Sequence, residues 1–108
     1  MLSEDDLFNW VVLWEDMLDK RTEARSTYQE EKQQLEIEKG IRRIVLKGLT
    51  DENGKKLNTE GSMDAIIIQE FAEKDQSLLA TKLITERLEN KTTVISEYIN
   101  IAKMILKK

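Results

Sequence analysis

Cysteine, histidine and proline are all missing from the 108 residues, and glycine occurs only four times. Without cysteine there is no disulfide and no thiolate metal site, which fits a reducing cytosol. Without histidine the commonest general base and the commonest metal ligand are gone, so a Ser/His/Asp triad and a histidine-based transition-metal centre are excluded. Without proline, and with glycine only at Gly40, Gly48, Gly54 and Gly61, almost nothing interrupts a helix outside one central window. Long apolar runs are scarce too. The longest, "LFNWVVLW" at residues 7–14, is too short to cross a bilayer, which takes about 20 residues, and it follows Glu4, Asp5 and Asp6 where an export signal carries positive charge. The expectation is a cytoplasmic protein with no membrane contact.

What is present is charge, 35% of residues, and helix-forming sequence. Ser3 followed by three acids is a helix start: a hydroxyl to cap open amides, then carboxylates against the positive end of the dipole. No strong breaker follows until the glycines, so the pattern predicts one helix over residues 3–47, roughly 60 Å long at 1.5 Å per residue. The window "GLTDENGKKLNTEG", residues 48–61, holds three of the four glycines and the Asn53-Gly54 turn pair, and the chain reverses there. A rival reading makes "RRIVLKG" and "GKKLN" the arms of a β-hairpin around Asn53-Gly54. Beyond the window, Thr59 or Ser62 caps a second helix over 62–74, "KDQS" breaks or bends it, and a third helix runs over 77–107. In the third helix Ile84, Leu88, Ile95, Tyr98, Ala102 and Ile105 form a coiled-coil stripe interrupted by Lys91. The fold class is therefore all-α: a single domain over 1–108, a long helical hairpin with coiled-coil character, expected to self-associate into a helical bundle.

That hairpin sets Leu7, Val11, Trp14 and Leu18 beside Ile95, Tyr98, Ile101, Ala102 and Ile105. Phe8, Trp10, Val12 and Leu13 spread apolar character nearly all round the first helix, more than one partner helix covers. Either the second helix folds back over the surplus or copies of the chain cover it. On the second reading Leu7, Trp10, Val11, Trp14, Tyr98, Ile101 and Ile105 form the oligomer interface.

Charge is unevenly placed. Residues 1–19 hold six acids and no base, residues 20–56 ten bases and seven acids, and the remainder is nearly balanced, for a net −4. In the basic middle, Arg21, Arg25, Tyr28 and Lys32 fall on one helical stripe that Lys39 and Arg43 extend. Cations interleaved with an aromatic suit a phosphate backbone and stacked bases, giving Lys20, Arg21, Arg25, Tyr28, Lys32, Lys39, Arg42 and Arg43 as candidate nucleic-acid contacts. The alternative is a solvated face neutralised by Glu23, Glu30 and Glu31. Acidic residues are scattered rather than gathered in a motif, so no catalytic residue, metal ligand, cofactor or small-molecule substrate is expected and an enzyme is not.

The acidic start, "WVVLW", the long charged helix and the segment from "ENGKKLNTEGSMDAIIIQEFAEKD" to "ISEYINIAKMILKK" resemble the small phage-encoded recombination accessory proteins of the UvsY-type mediator class. The resemblance covers most of the chain as a pattern and implies an α-helical oligomer that binds single-stranded DNA and helps load a recombinase in an infected host cell. It places the DNA-contacting role on Lys20, Arg21, Arg25, Lys32, Lys39, Arg42 and Arg43, and the oligomerising role on Trp10, Trp14, Ile101 and Ile105. A second function class stays open beside it: a protein–protein interaction factor, either an inhibitor or host-takeover protein acting through the acidic, tryptophan-bearing tip, or an assembly chaperone.

Overall fold

The computed structural model describes residues 2–107. Among these the chain is all-α: α1 spans Glu4–Lys47, α2 Glu60–Glu70 and α3 Ala72–Leu106, with no strand beyond a single antiparallel bridge between Thr50 and Lys56. Where residues up to Tyr28 of α1 meet α3 from Thr81, the two helices run antiparallel, Trp10 meeting Tyr98 and Arg25 meeting Glu89. The chain divides into two compact units, each built from part of α1 and part of α3.

The helix ends are written in local chemistry. At the start of α1, Ser3 and Asp6 cap each other: the Asp6 amide donates to Ser3 Oγ at 3.2 Å and the Ser3 amide to Asp6 Oδ2 at 2.9 Å. The Ser3 amide first, and then the Ser3 hydroxyl, which donates to the same oxygen, hold the Asp6 carboxyl below its ordinary value. At the other end the Gly48 amide bonds to Ile44 and Val45 carbonyls, while Asn58 Nδ2 donates to the Leu46 carbonyl at 3.0 Å, so three of the open C-terminal acceptors are met. Asn53 and Gly54 then turn the chain. Asp51 Oδ1 accepts from the Asn53 and Lys55 amides, both at 2.9 Å, and Gly54 takes φ +78°, a left-handed conformation that glycine adopts without strain. The β-hairpin alternative therefore survives only as this one-bridge turn, because residues 42–47, its proposed first arm, are helical. Thr59 and Ser62 form a reciprocal capping box that starts α2.

The break between the second and third helices lies at Phe71, not within residues 74–77. Lys74, Asp75, Gln76 and Ser77 are helical, and Lys74 and Asp75 are held there by ion pairs to α1. At Phe71 the backbone turns aside (φ −101°, ψ 9°) yet keeps its amide on the Ile67 carbonyl.

The unit from Gln29 to Ala80 has an apolar cluster of Leu46, Met63 and Ile67, at 3%, 2% and 6% exposure, with Ile66 and Phe71 packed against them. In the other unit, which takes α1 up to Tyr28 and α3 from Thr81, the α3 residues turned inward are Thr85, Leu88, Thr92, Ile95, Ile99, Ala102 and Leu106. They alternate in steps of three and four, the coiled-coil period. This corrects the stripe predicted for α3: Leu88, Ile95 and Ala102 belong to it, but Ile84, Tyr98 and Ile105 are at least half exposed. Thr85 and Thr92 take the inward places because each hydroxyl donates to the carbonyl four residues back, at 3.0 and 2.7 Å, and so is buried with its hydrogen bond made.

Candidate functional site

The eight candidate nucleic-acid residues are on α1, and the fold gives most of them carboxylate partners. In the first unit Lys20 pairs with Asp16 at 3.0 Å on its own helix, and Arg25 Nε donates to Glu89 of α3 at 2.6 Å. In the second unit Lys39 meets Asp75 at 2.6 Å, Arg43 meets Glu60 at 3.0 Å and also Asp64, and Arg42 holds Glu70 with two parallel bonds of 2.7 and 2.8 Å. The fork of a guanidinium matches the two carboxylate oxygens, which makes the Arg42–Glu70 pair the most directional of the set. Two of the predicted stripe face inward instead of out: Arg21 and Tyr28 are half-buried on the side of α1 turned toward α3, and Arg21 Nε is out of solvent with no hydrogen-bond acceptor. Only Lys32 is both exposed and without an ion pair among the described residues. The predicted basic stripe thus becomes helix-to-helix ties at Arg25, Lys39, Arg42 and Arg43, a pair within α1 at Lys20, a half-buried Arg21 and an exposed Lys32.

These ties carry a pH dependence. The Arg42 guanidinium holds the Glu70 carboxyl below its ordinary 4.5, and Lys74, then Gln34, do the same for Glu38. Arg42 and Arg43 are pushed up in turn by Glu70 and Asp64. A depressed carboxylate contributes stability that is fully present above its unfolded value and lost as pH falls through the folded one. Thermal midpoints followed by circular dichroism are therefore expected to hold from neutral pH down to about the ordinary carboxylate value and then to fall. The double variant Glu38→Gln, Glu70→Gln should start lower and fall less steeply. Acid limbs that coincide would show that these two carboxylates play no part.

The predicted interface residues separate by face. Leu7, Trp10, Val11 and Trp14 are half-buried and serve the chain's own seam. The Trp10 ring meets Tyr98 edge-on, centroids 5.2 Å apart and planes at 90°, the arrangement that the ring quadrupoles favour. Tyr98, Ile101 and Ile105 keep half or more of their surface in solvent, at 50%, 53% and 54%. They are joined by residues the interface prediction did not include: Phe8 at 66%, Val12, Leu13, Val94 and Met104. Sequence spacing does contain that second group, since Val94 stands four residues before Tyr98 and Phe8 four before Val12.

The remaining concavities are open grooves between α1 and α3. The one in the second unit, lined by Glu30, Gln34, Leu35, Glu38, Lys74 and Leu78, brings carboxylates over an apolar floor, with Glu38 already engaged by Lys74 at 2.7 Å. No group of three acidic side chains among the described residues is close enough to hold a metal ion. No helix among them is long and apolar enough to cross a membrane.

No protein-family model, no curated protein and no solved structure matches this chain.

Proposed function

We propose that this chain is a non-enzymatic helical accessory protein that works as an assembly of its own copies. The observation that carries the reading is the outer surface of the first unit. Its seam already uses Trp10, Trp14, Ile95, Ile99 and Ala102, yet Phe8, Val12, Leu13, Val94, Tyr98, Ile101, Met104 and Ile105 stand exposed on the same two helix segments. An apolar surface of that extent on a short helical pair is the mark of an interface. Light scattering over a concentration series tests it: the reading expects a mass of two or more copies that dissociates on dilution. A mass of one copy at every concentration would overturn it.

A second reading, the mediator role that the resemblance implies, is favoured by the state of the cations. The Arg25, Arg42 and Arg43 pairs lie at the surface, where ion pairs stabilise little, so a polyphosphate strand can displace their carboxylates, while the Lys39–Asp75 pair is part-buried. Lys32 and Arg21 take part in no ion pair among the described residues. The test is fluorescence anisotropy with a labelled single-stranded oligonucleotide: affinity should fall steeply with salt and disappear in the variant Arg21→Glu, Arg25→Glu, Lys32→Glu. Absence of binding at low salt would leave the assembly without a nucleic-acid role, as a protein–protein interaction factor.

A further inference from the structure

Two exposed stripes in the first unit answer one another. On α1, Phe8, Val12, Glu15 and Asp19 follow in steps of four, three and four, all of them in solvent. On α3, Arg87, Lys91, Val94 and Tyr98 do the same, and Ile101 and Ile105 continue that line. Both have the period of a coiled-coil face, and neither is the face that α1 and α3 turn toward each other within the chain. Laid antiparallel, one register matches all four pairs: Phe8 on Tyr98, Val12 on Val94, Glu15 on Lys91 and Asp19 on Arg87. Apolar meets apolar and each acid meets a base. Glu15, Asp19, Arg87 and Lys91 take part in no ion pair among the described residues, unlike most of the α1 cations.

We infer that the occupant of the α3 stripe is the first five turns of α1 from a second copy, in antiparallel alignment. The inference rests on the self-association reading above and names its contacts. Charge complementarity selects the occupant. An unrelated apolar helix would leave Arg87 and Lys91 unanswered, whereas residues 1–19 offer six acids without one base. The pairing leaves the internal Trp10–Tyr98 contact in place, because Tyr98 makes it and still has half its surface outside. Donor and acceptor stripes lie on different helices, so each copy gives one contact and receives one.

Charge exchange tests this with the full chain. The variant Glu15→Lys, Asp19→Arg and the variant Arg87→Asp, Lys91→Glu each place like charges across the contact. Each is expected to weaken assembly at low salt by about tenfold or more in dissociation constant, read by light scattering. Mixing the two variants should restore association, because the reversed α1 of one faces the reversed α3 of the other. The chain carrying all four changes should assemble alone. The neutral pair Glu15→Gln, Asp19→Asn gives the same test in smaller steps, and circular dichroism checks that helix content is kept. If the wild type assembles and both reversals leave its mass unchanged, or if the mixture fails to associate, the stripe pairing is wrong while self-association stands. A wild type that is a single copy throughout removes the self-association reading itself.

Discussion

Replacing Met63 by alanine should cost roughly 2–5 kcal/mol of stability, the range for truncating a long apolar side chain in a packed core. Met63 is 2% exposed and sits with Leu46 and Ile67 in the one cluster where buried side chains of α1 and α2 meet. The change removes the contacts that hold the short α2 against α1. α2 has eleven residues, too few to be helical alone in water, so it depends on its packed side chains and on the Thr59–Ser62 box. Beyond Ile66 and Phe71, which already pack against the cluster, Ile44, Val45 and Ile68 are exposed and add little that could fill the space. A domain of about this size has a total stability of about 5–15 kcal/mol. The loss should lower the midpoint of urea unfolding strongly with little change in slope. Met63→Leu, nearly equal in volume, should cost less than about 1.5 kcal/mol. If alanine and leucine behaved alike, the cluster would not be the core of its unit.

The elements were legible because their ends are local. Ser3 with Asp6, the Asn53-Gly54 pair and Thr59 with Ser62 each make their hydrogen bonds within a few residues, and such bonds can be read from neighbours in the chain. The faces were not legible in the same way. α3 carries two runs with the three-and-four alternation, one through Thr85, Thr92, Ile95 and Ile99 and one through Val94, Tyr98, Ile101 and Ile105. Hydrophobicity favours the isoleucines and does not say which run is inward. The choice falls to the threonines, which satisfy their hydroxyls on their own helix and, being small, let the helices come together. The cations of α1 pose the same difficulty from the electrostatic side. Their spacing shows a basic stripe, but the carboxylates that answer Arg25, Lys39 and Arg42 come from residues 28 to 64 positions away, and no local pattern announces them.

Replacing Arg21 by leucine should raise stability, by about 1–3 kcal/mol, which for a domain near this length lifts the thermal midpoint by several degrees. Arg21 lies on the inward line of α1 with Trp14, Met17, Ala24 and Tyr28, all half-buried, and its Nε has lost water without gaining an acceptor. An unmet buried donor costs free energy that leucine does not carry, and leucine fits the apolar line on either side of it. No hydroxyl, carboxylate or carbonyl oxygen among the described residues accepts from it. A polar residue at such a place is kept in some helical pairs because it penalises a slipped alignment, as a buried asparagine does in a coiled coil. Two measurements separate that use from phosphate contact. If Arg21 serves alignment, Arg21→Leu melts higher but over a broader transition, and Arg21→Lys behaves much like leucine in binding assays. If Arg21 serves a nucleic-acid strand, Arg21→Leu melts higher and weakens the oligonucleotide complex, while Arg21→Lys restores most of it. A lower midpoint for Arg21→Leu would contradict both, because it would mean that the guanidinium contributes more to the seam through its outer nitrogens than its orphaned Nε takes away.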